Sequence, residues 1–271
     1  MAMIDGEVSA GSLAQYWGQL LKKHREAAGY SGAAFGRLIG YSAGAVSQFE
    51  SATRVMKPET ARACDELFKT DGLLEGLLEF ILKADLPTWF TSYVDHEGRA
   101  SEIRTYEPQV IPGLLQTEEY ARAVLEAGRL DSIDQPLAMR MSRQRILEGE
   151  GAPYLWVILE QTAIEKQIGG PEVMRPQLER LIAEAKKPRI VIQIVPKTIG
   201  AHAGLDGPLT ILSFPEGPDM GYVDGHASGQ LIVKTADVAR CARIYDLLRS
   251  TALSADSSIA LLEAAMEELA P

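Results

Sequence analysis

Apolar positions recur at helical spacing in five short blocks between residues 12 and 85. In the first, Leu13, Tyr16, Trp17, Leu20, Leu21 and His24 lie three or four apart or adjacent, and Gly29 closes the block; the spacing predicts a helix from about Ser12 to Ala28. A second helix is predicted from about Ser31 to Ile39, with Ser31 as N-cap, Phe35, Leu38 and Ile39 facing inward, and Gly40 ending it. Ser42 caps the next, AGAVSQFESA, whose inward pair is Val46 and Phe49. A fourth starts at Pro58, a residue suited to the first helical turn, and carries Ala61, Cys64, Leu67 and Phe68. The fifth is the leucine-rich stretch from Leu73 to Leu82.

The pattern changes after Pro87. Trp89, Phe90, Tyr93 and Tyr106 stand close together, and SEIRTYEPQVI alternates as an extended segment does. Pro112-Gly113 marks a turn, Thr117-Glu118-Glu119 a helix start, and that helix runs to Gly128. Another is predicted from about Asp134 to Leu147. YLWVILE (154–160) and RIVIQIVP (189–196) read as strands, with helices at about 162–168 and 171–186 between them. TILSF, GYVDG and LIVK are three further short strands, and two helices, about 235–252 and 255–269, close the chain. The expected organisation is an all-α domain over residues 1–86 and a larger α+β domain over 87–271.

Composition narrows the classes. The 271 residues and 46% hydrophobic content suit a folded chain with a substantial core. No apolar run is long enough to cross a bilayer, and MAMIDGEVSAGS lacks the basic and apolar regions of a signal peptide, so a cytoplasmic protein is expected. Cys64 and Cys241 are distant and lack C-x-x-C partners, which points to two reduced thiols. A net charge of −10 argues against a chain that coats nucleic acid nonspecifically. Residues 1–86 hold nine basic and eleven acidic residues, the cations early and the acids late, compatible with one face meeting phosphate.

Two short helices joined by a tight Gly40-Tyr41 turn make a helix-turn-helix unit, whose second helix is narrow enough to enter the major groove. SGAAFGRLIGYSAGAVSQFESATR resembles the phage-repressor, Xre-type version of that unit (lambda-repressor-like) in Ala34, Phe35, Gly36, Gly40, Ser42, Val46-Ser47, Glu50 and Arg54. The resemblance implies base contacts from Ser42, Ala43, Gly44, Ser47 and Gln48, and phosphate contacts from Ser31, Arg37, Arg54 and Lys57. Gln48 suits a bidentate pair with adenine. Gly32 stands where the family often has a phosphate-touching glutamine, and the glycine usual after the glutamate is missing from E-S-A-T-R. Ala43 and Gly44 bring no hydrogen-bonding side chain, which shifts weight to dimerisation and DNA shape.

The later segments IPGLLQTEEYARAVLEAG, RMSRQRIL, QLERLIAEA, IQIVP, GAHAGLDGPLTILSFP and the terminal ALS resemble actinobacterial helix-turn-helix regulators with a DUF5753 domain, the Scr1-type antitoxin-like or WhiJ-like family. The run from Val110 to Tyr120 is its most specific motif. The resemblance implies a transcription regulator acting as a homodimer on double-stranded DNA, with the C-terminal domain answering to a small-molecule effector or a small DUF397-type protein. The alternative it implies is an antitoxin-like module that sequesters such a partner, with DNA binding secondary. Asp224 of GYVDG stands where the family usually has glutamate.

For the second domain, Trp89, Tyr93, Arg140, Arg143 and Asp224 are the candidate partner or ligand residues: an aromatic cluster for a pocket wall, arginines for an acidic partner. Packing of the aromatics and a solvated arginine face are the plainer readings. His202, His226, Asp206 and Asp224 lie in glycine-rich loops without ligand spacing, so no metal is expected. GHASG lacks nucleophile-elbow spacing, and neither a P-loop nor a dinucleotide fingerprint occurs. No cofactor and no enzyme activity are expected.

Overall fold

The computed structural model describes residues 10–84, 88–129, 132–225 and 229–269, with backbone alone at 10–12, 83–84 and 88–89. Five helices come first: α1 (Ala10–Ala27), α2 (Gly32–Ile39), α3 (Ala43–Glu50), α4 (Pro58–Phe68) and α5 (Leu73–Ala84). Then follow α6 (Thr88–Glu97), β1 (Glu102–Glu107), α7 (Glu118–Ala127), α8 (Asp134–Arg143), β2 (Tyr154–Glu160), α9 (Gln161–Glu165) and α10 (Pro171–Ala185). The chain continues with β3 (Ile190–Val195), β4 (Leu209–Ser213), β5 (Met220–Asp224), β6 (Gly229–Ile232), α11 (Thr235–Thr251) and α12 (Ala255–Glu268). They form two compact units: α1 to α5 together with α8 as far as Ser142, and the remainder.

In the helical unit, Trp17, Leu21, Phe35, Val46, Phe49, Met56, Cys64, Leu74, Leu78 and Leu82 are buried. The Trp17 indole N–H donates to the Leu74 carbonyl at 2.7 Å, tying α1 to α5. Buried Asp65 accepts from the Leu74 and Glu75 amides at 2.9 and 2.8 Å and from the Thr70 hydroxyl. A carboxylate at two orphan amides and the positive end of a helix is what fixes the start of α5. Gln135 of α8 donates to the Ile81 carbonyl at 3.0 Å, and Leu137, Ala138 and Met139 are buried. Leu38 departs from its expected inward place: it is 57% exposed, because Phe35 and Gly36 supply the buried side of α2.

The second unit is built on a six-stranded mixed sheet in the order β3-β2-β1-β4-β5-β6. β1, β2 and β3 are parallel, and β4, β5 and β6 continue antiparallel from β1. Alternation sorts side chains between two cores. Ile103, Leu155, Val157, Leu159, Ile190, Ile192, Ile194 and Leu212 join Met174, Leu178, Leu181 and Leu262 of α10 and α12 on one face. Tyr106, Ile158, Leu209 and Ile211 meet Cys241, Tyr245 and Leu248 of α11 on the other. The Val110–Tyr120 motif is tied together by internal bonds. Gln116 donates to the Ile111 carbonyl, Tyr120 accepts from the Ile111 amide, and Gln177 both accepts from the Thr117 amide and donates to the Leu115 carbonyl.

Candidate nucleic-acid interface

Each helix of the α2–α3 pair starts on a serine in extended conformation. The Ser31 hydroxyl oxygen accepts from the Ala34 amide and that of Ser42 from the Ala45 amide, both at 3.2 Å. Gly40, in the left-handed region at φ 78°, ends α2 and sends the chain into the turn. The two helices lie close because Gly36 has no side chain: a Cβ there would stand 2.5 Å from the Tyr41 carbonyl oxygen. Gly18 of α1 makes the corresponding approach to the end of α3, where a Cβ would meet the Glu50 carbonyl oxygen at 2.5 Å.

α3 has two sides. Ala45, Val46 and Phe49 are buried, whereas Ser42, Ala43, Gly44, Ser47 and Gln48 are all exposed. The five positions assigned to base contact therefore share the outward face of one helix. Among the described residues no intramolecular bond engages the Gln48 amide, so its paired donor and acceptor are available to an outside partner.

The helix is braced from behind. Arg25 of α1 is buried and forked onto Glu50, Nε to Oε1 at 2.5 Å and Nη2 to Oε2 at 3.1 Å, while Nη1 donates to the Tyr30 carbonyl at 2.7 Å. The hydrogen bonds that Arg25 donates to Glu50 raise its pKa above the ordinary guanidinium value, so the arginine stays charged at any working pH. Sequence reading missed this pair, since partners 25 residues apart leave no local signal.

Of the expected phosphate contacts, Ser31, Arg37 and Arg54 are exposed and Lys57, which precedes α4, is half-buried. Arg54 follows a tight return of the chain after α3. The Thr53 and Arg54 amides donate to the Gln48 carbonyl at 3.0 and 3.3 Å, and the Ser51 and Thr53 hydroxyls donate to it at 3.3 Å. The Arg54 guanidinium lies 5.5 Å from the Phe49 ring centre and 5.7 Å from that of Tyr41. A cation beside the C-terminal end of α3 also meets the favourable end of the helix dipole.

The expected partner or ligand residues of the second domain are only partly brought together. Tyr93 stacks on Tyr222 at 4.0 Å and donates to Glu97 at 2.7 Å. Arg143 grips the same Glu97 carboxylate with two bonds of 2.9 and 2.8 Å and lies over the Phe90 and Tyr93 rings. Burial pulls Arg143 down, but the charge and hydrogen bonds of Glu97 outweigh it and its pKa is raised. Glu97, only 2% exposed, completes this ion pair, and no local pattern in the sequence singles it out. Asp224 is exposed at the end of β5 and accepts from the Gly225 amide; with burial, its charge raises the Tyr222 phenol. Arg140 is half-buried and belongs to the helical unit. The Trp89 side chain lies outside the described residues.

Tyr106 does not join Phe90 and Tyr93. It faces the other side of the sheet, where its hydroxyl donates to Glu160 at 2.8 Å. His202 approaches the same carboxylate with Nε2 at 3.1 Å and accepts from the Gly204 amide at Nδ1. Among the described residues no group of three His, Cys, Asp or Glu side chains could hold a metal ion; His226 lies outside them. No helix among them is long and apolar enough to cross a membrane.

Two known domain families match the chain. Residues 18–77 match a helix-turn-helix domain, the class associated with DNA-binding regulators. Residues 90–264 match the domain of unknown function DUF5753, and the chain belongs to that family. No curated protein and no solved structure matches the chain.

Proposed function

We propose that this protein is a sequence-specific transcriptional regulator that works in the cytoplasm as a homodimer on double-stranded DNA. Two copies of α3 would enter major grooves about one helical turn apart on a near-palindrome. Ser42, Ala43, Gly44, Ser47 and Gln48 would lie against base edges, with Ser31, Arg37, Arg54 and Lys57 on the flanking phosphates. The DUF5753 domain would change operator affinity on binding a small molecule or a small protein partner. The observation that carries this reading is the division of α3 into a buried side and an exposed face holding all five base-contact positions.

The test is binding of the full-length protein to DNA over a salt series. Arg54→Ala is expected to weaken binding to every duplex alike and to make the logarithmic salt slope shallower by about one for each phosphate left without its arginine. Gln48→Ala is expected to change base preference, at a cost of about 1–3 kcal/mol on the preferred sequence. Absence of salt-sensitive binding by the wild-type protein would reject the reading.

A further inference from the structure

Arg54 differs from two other arginines of the helical unit. Arg25 is paired with Glu50, and Arg62 with Glu75 at 3.1 Å. Among the described residues Arg54 has no carboxylate partner. Glu50, the acid four residues before it, has both oxygens turned to Arg25. What Arg54 has instead is an aromatic seat. Tyr41 and Phe49 meet edge to face, their ring centres 5.1 Å apart and their planes at 84°, and the guanidinium lies near both. Phe49 is 1% exposed and belongs to the core, whereas Tyr41 is half-buried in the turn between α2 and α3. A ring face restrains a guanidinium without neutralising its charge, and leaves its N–H donors available.

We infer that Tyr41 is a positioning residue for DNA: its ring holds the Arg54 guanidinium beside the end of α3, ordered in advance to meet a backbone phosphate next to the bases that α3 reads. This inference rests on the DNA-binding reading above. A long side chain ordered before binding loses less freedom on contact, so the ring adds affinity without adding a base contact. The gain is independent of sequence, because a phosphate is the same at every step.

A double-mutant cycle tests it. Affinity of the full-length protein for its selected duplex and for a random duplex is measured for the wild type, Tyr41→Leu, Tyr41→Phe, Arg54→Ala and the Tyr41→Leu/Arg54→Ala pair. Thermal unfolding monitors the fold, and Tyr41→Met replaces Tyr41→Leu if that variant does not fold. Tyr41→Leu is expected to weaken both duplexes by about two- to fivefold, while Tyr41→Phe, which keeps the ring, stays near wild type. With Arg54 already replaced by alanine, loss of the ring is expected to have no further effect. Equal weakening by Tyr41→Leu with and without Arg54 would make Tyr41 a packing residue only and overturn the inference, as would no effect in either background. A wild-type protein that binds no DNA would instead defeat the underlying reading.

Discussion

Ala52 has φ 56°, in the left-handed region where a Cβ crowds its own backbone. It stands in the return after α3, within the E-S-A-T-R segment from which the glycine of the resembled pattern is missing. Ala52→Gly is expected to raise unfolding stability by about 1 kcal/mol, the relief of strain being partly offset by a freer unfolded chain. Urea denaturation measures it; an unchanged midpoint would mean the return is not strained. Cys64 offers a second check. It is fully buried, and desolvation together with the charge of Asp65 pushes its thiol up to about 12. Because thiolate is the reactive form, an alkylating reagent at pH 8 is expected to leave Cys64 unmodified until the helical unit unfolds. The raised value also means that the thiol's contribution to stability is complete below the unfolded thiol pKa and lost as pH rises toward the folded one.

Among the elements, the α2–α3 pair depends on one missing side chain. Gly36→Ala would drive a Cβ into the Tyr41 carbonyl and the Ser42 backbone, none of which is a flexible side-chain end. The expected cost is about 1–3 kcal/mol in thermal unfolding, with DNA affinity lost beyond that because α3 must shift to make room. Gly44→Ala is the control: its Cβ would meet only the Ser42 hydroxyl oxygen at 3.8 Å, so the fold should be kept or slightly stabilised. Equal stability of the two variants would contradict the close packing of the pair. Such local devices were legible in the sequence. Ser31, Ser42 and Thr117 fall where a cap is needed, and each accepts from the amide three residues on. Helix α6 was not read as one, since its crowded aromatics gave no clean period. Its folded form pairs Tyr93 with Glu97 and both with Arg143, a contact from a distant segment. The inward reading of Leu38 failed because helical period alone does not say which of two adjacent apolar residues the core uses.

For the whole molecule, the all-α first domain and the α+β second were read from period and turn chemistry, and β2 was bounded at its observed residues. The order β3-β2-β1-β4-β5-β6 was not, because strand neighbours are chosen by packing between distant segments. The grouping of α8 with the first five helices has the same character: nothing near residue 134 announces it. The outward face of α3 was legible because it needs one helix and its period. The Arg25–Glu50 brace and the aromatic seat of Arg54 were not, because each joins segments that meet only after folding.

The central claim is that the exposed face of α3 reads bases. Its most direct test is selection of duplexes from a random library by the full-length protein, repeated with Gln48→Ala. The wild type is expected to enrich a near-palindromic motif, and the variant to lose preference at one symmetric position while keeping the rest. An identical motif from both proteins, or no enriched motif from the wild type, would contradict it.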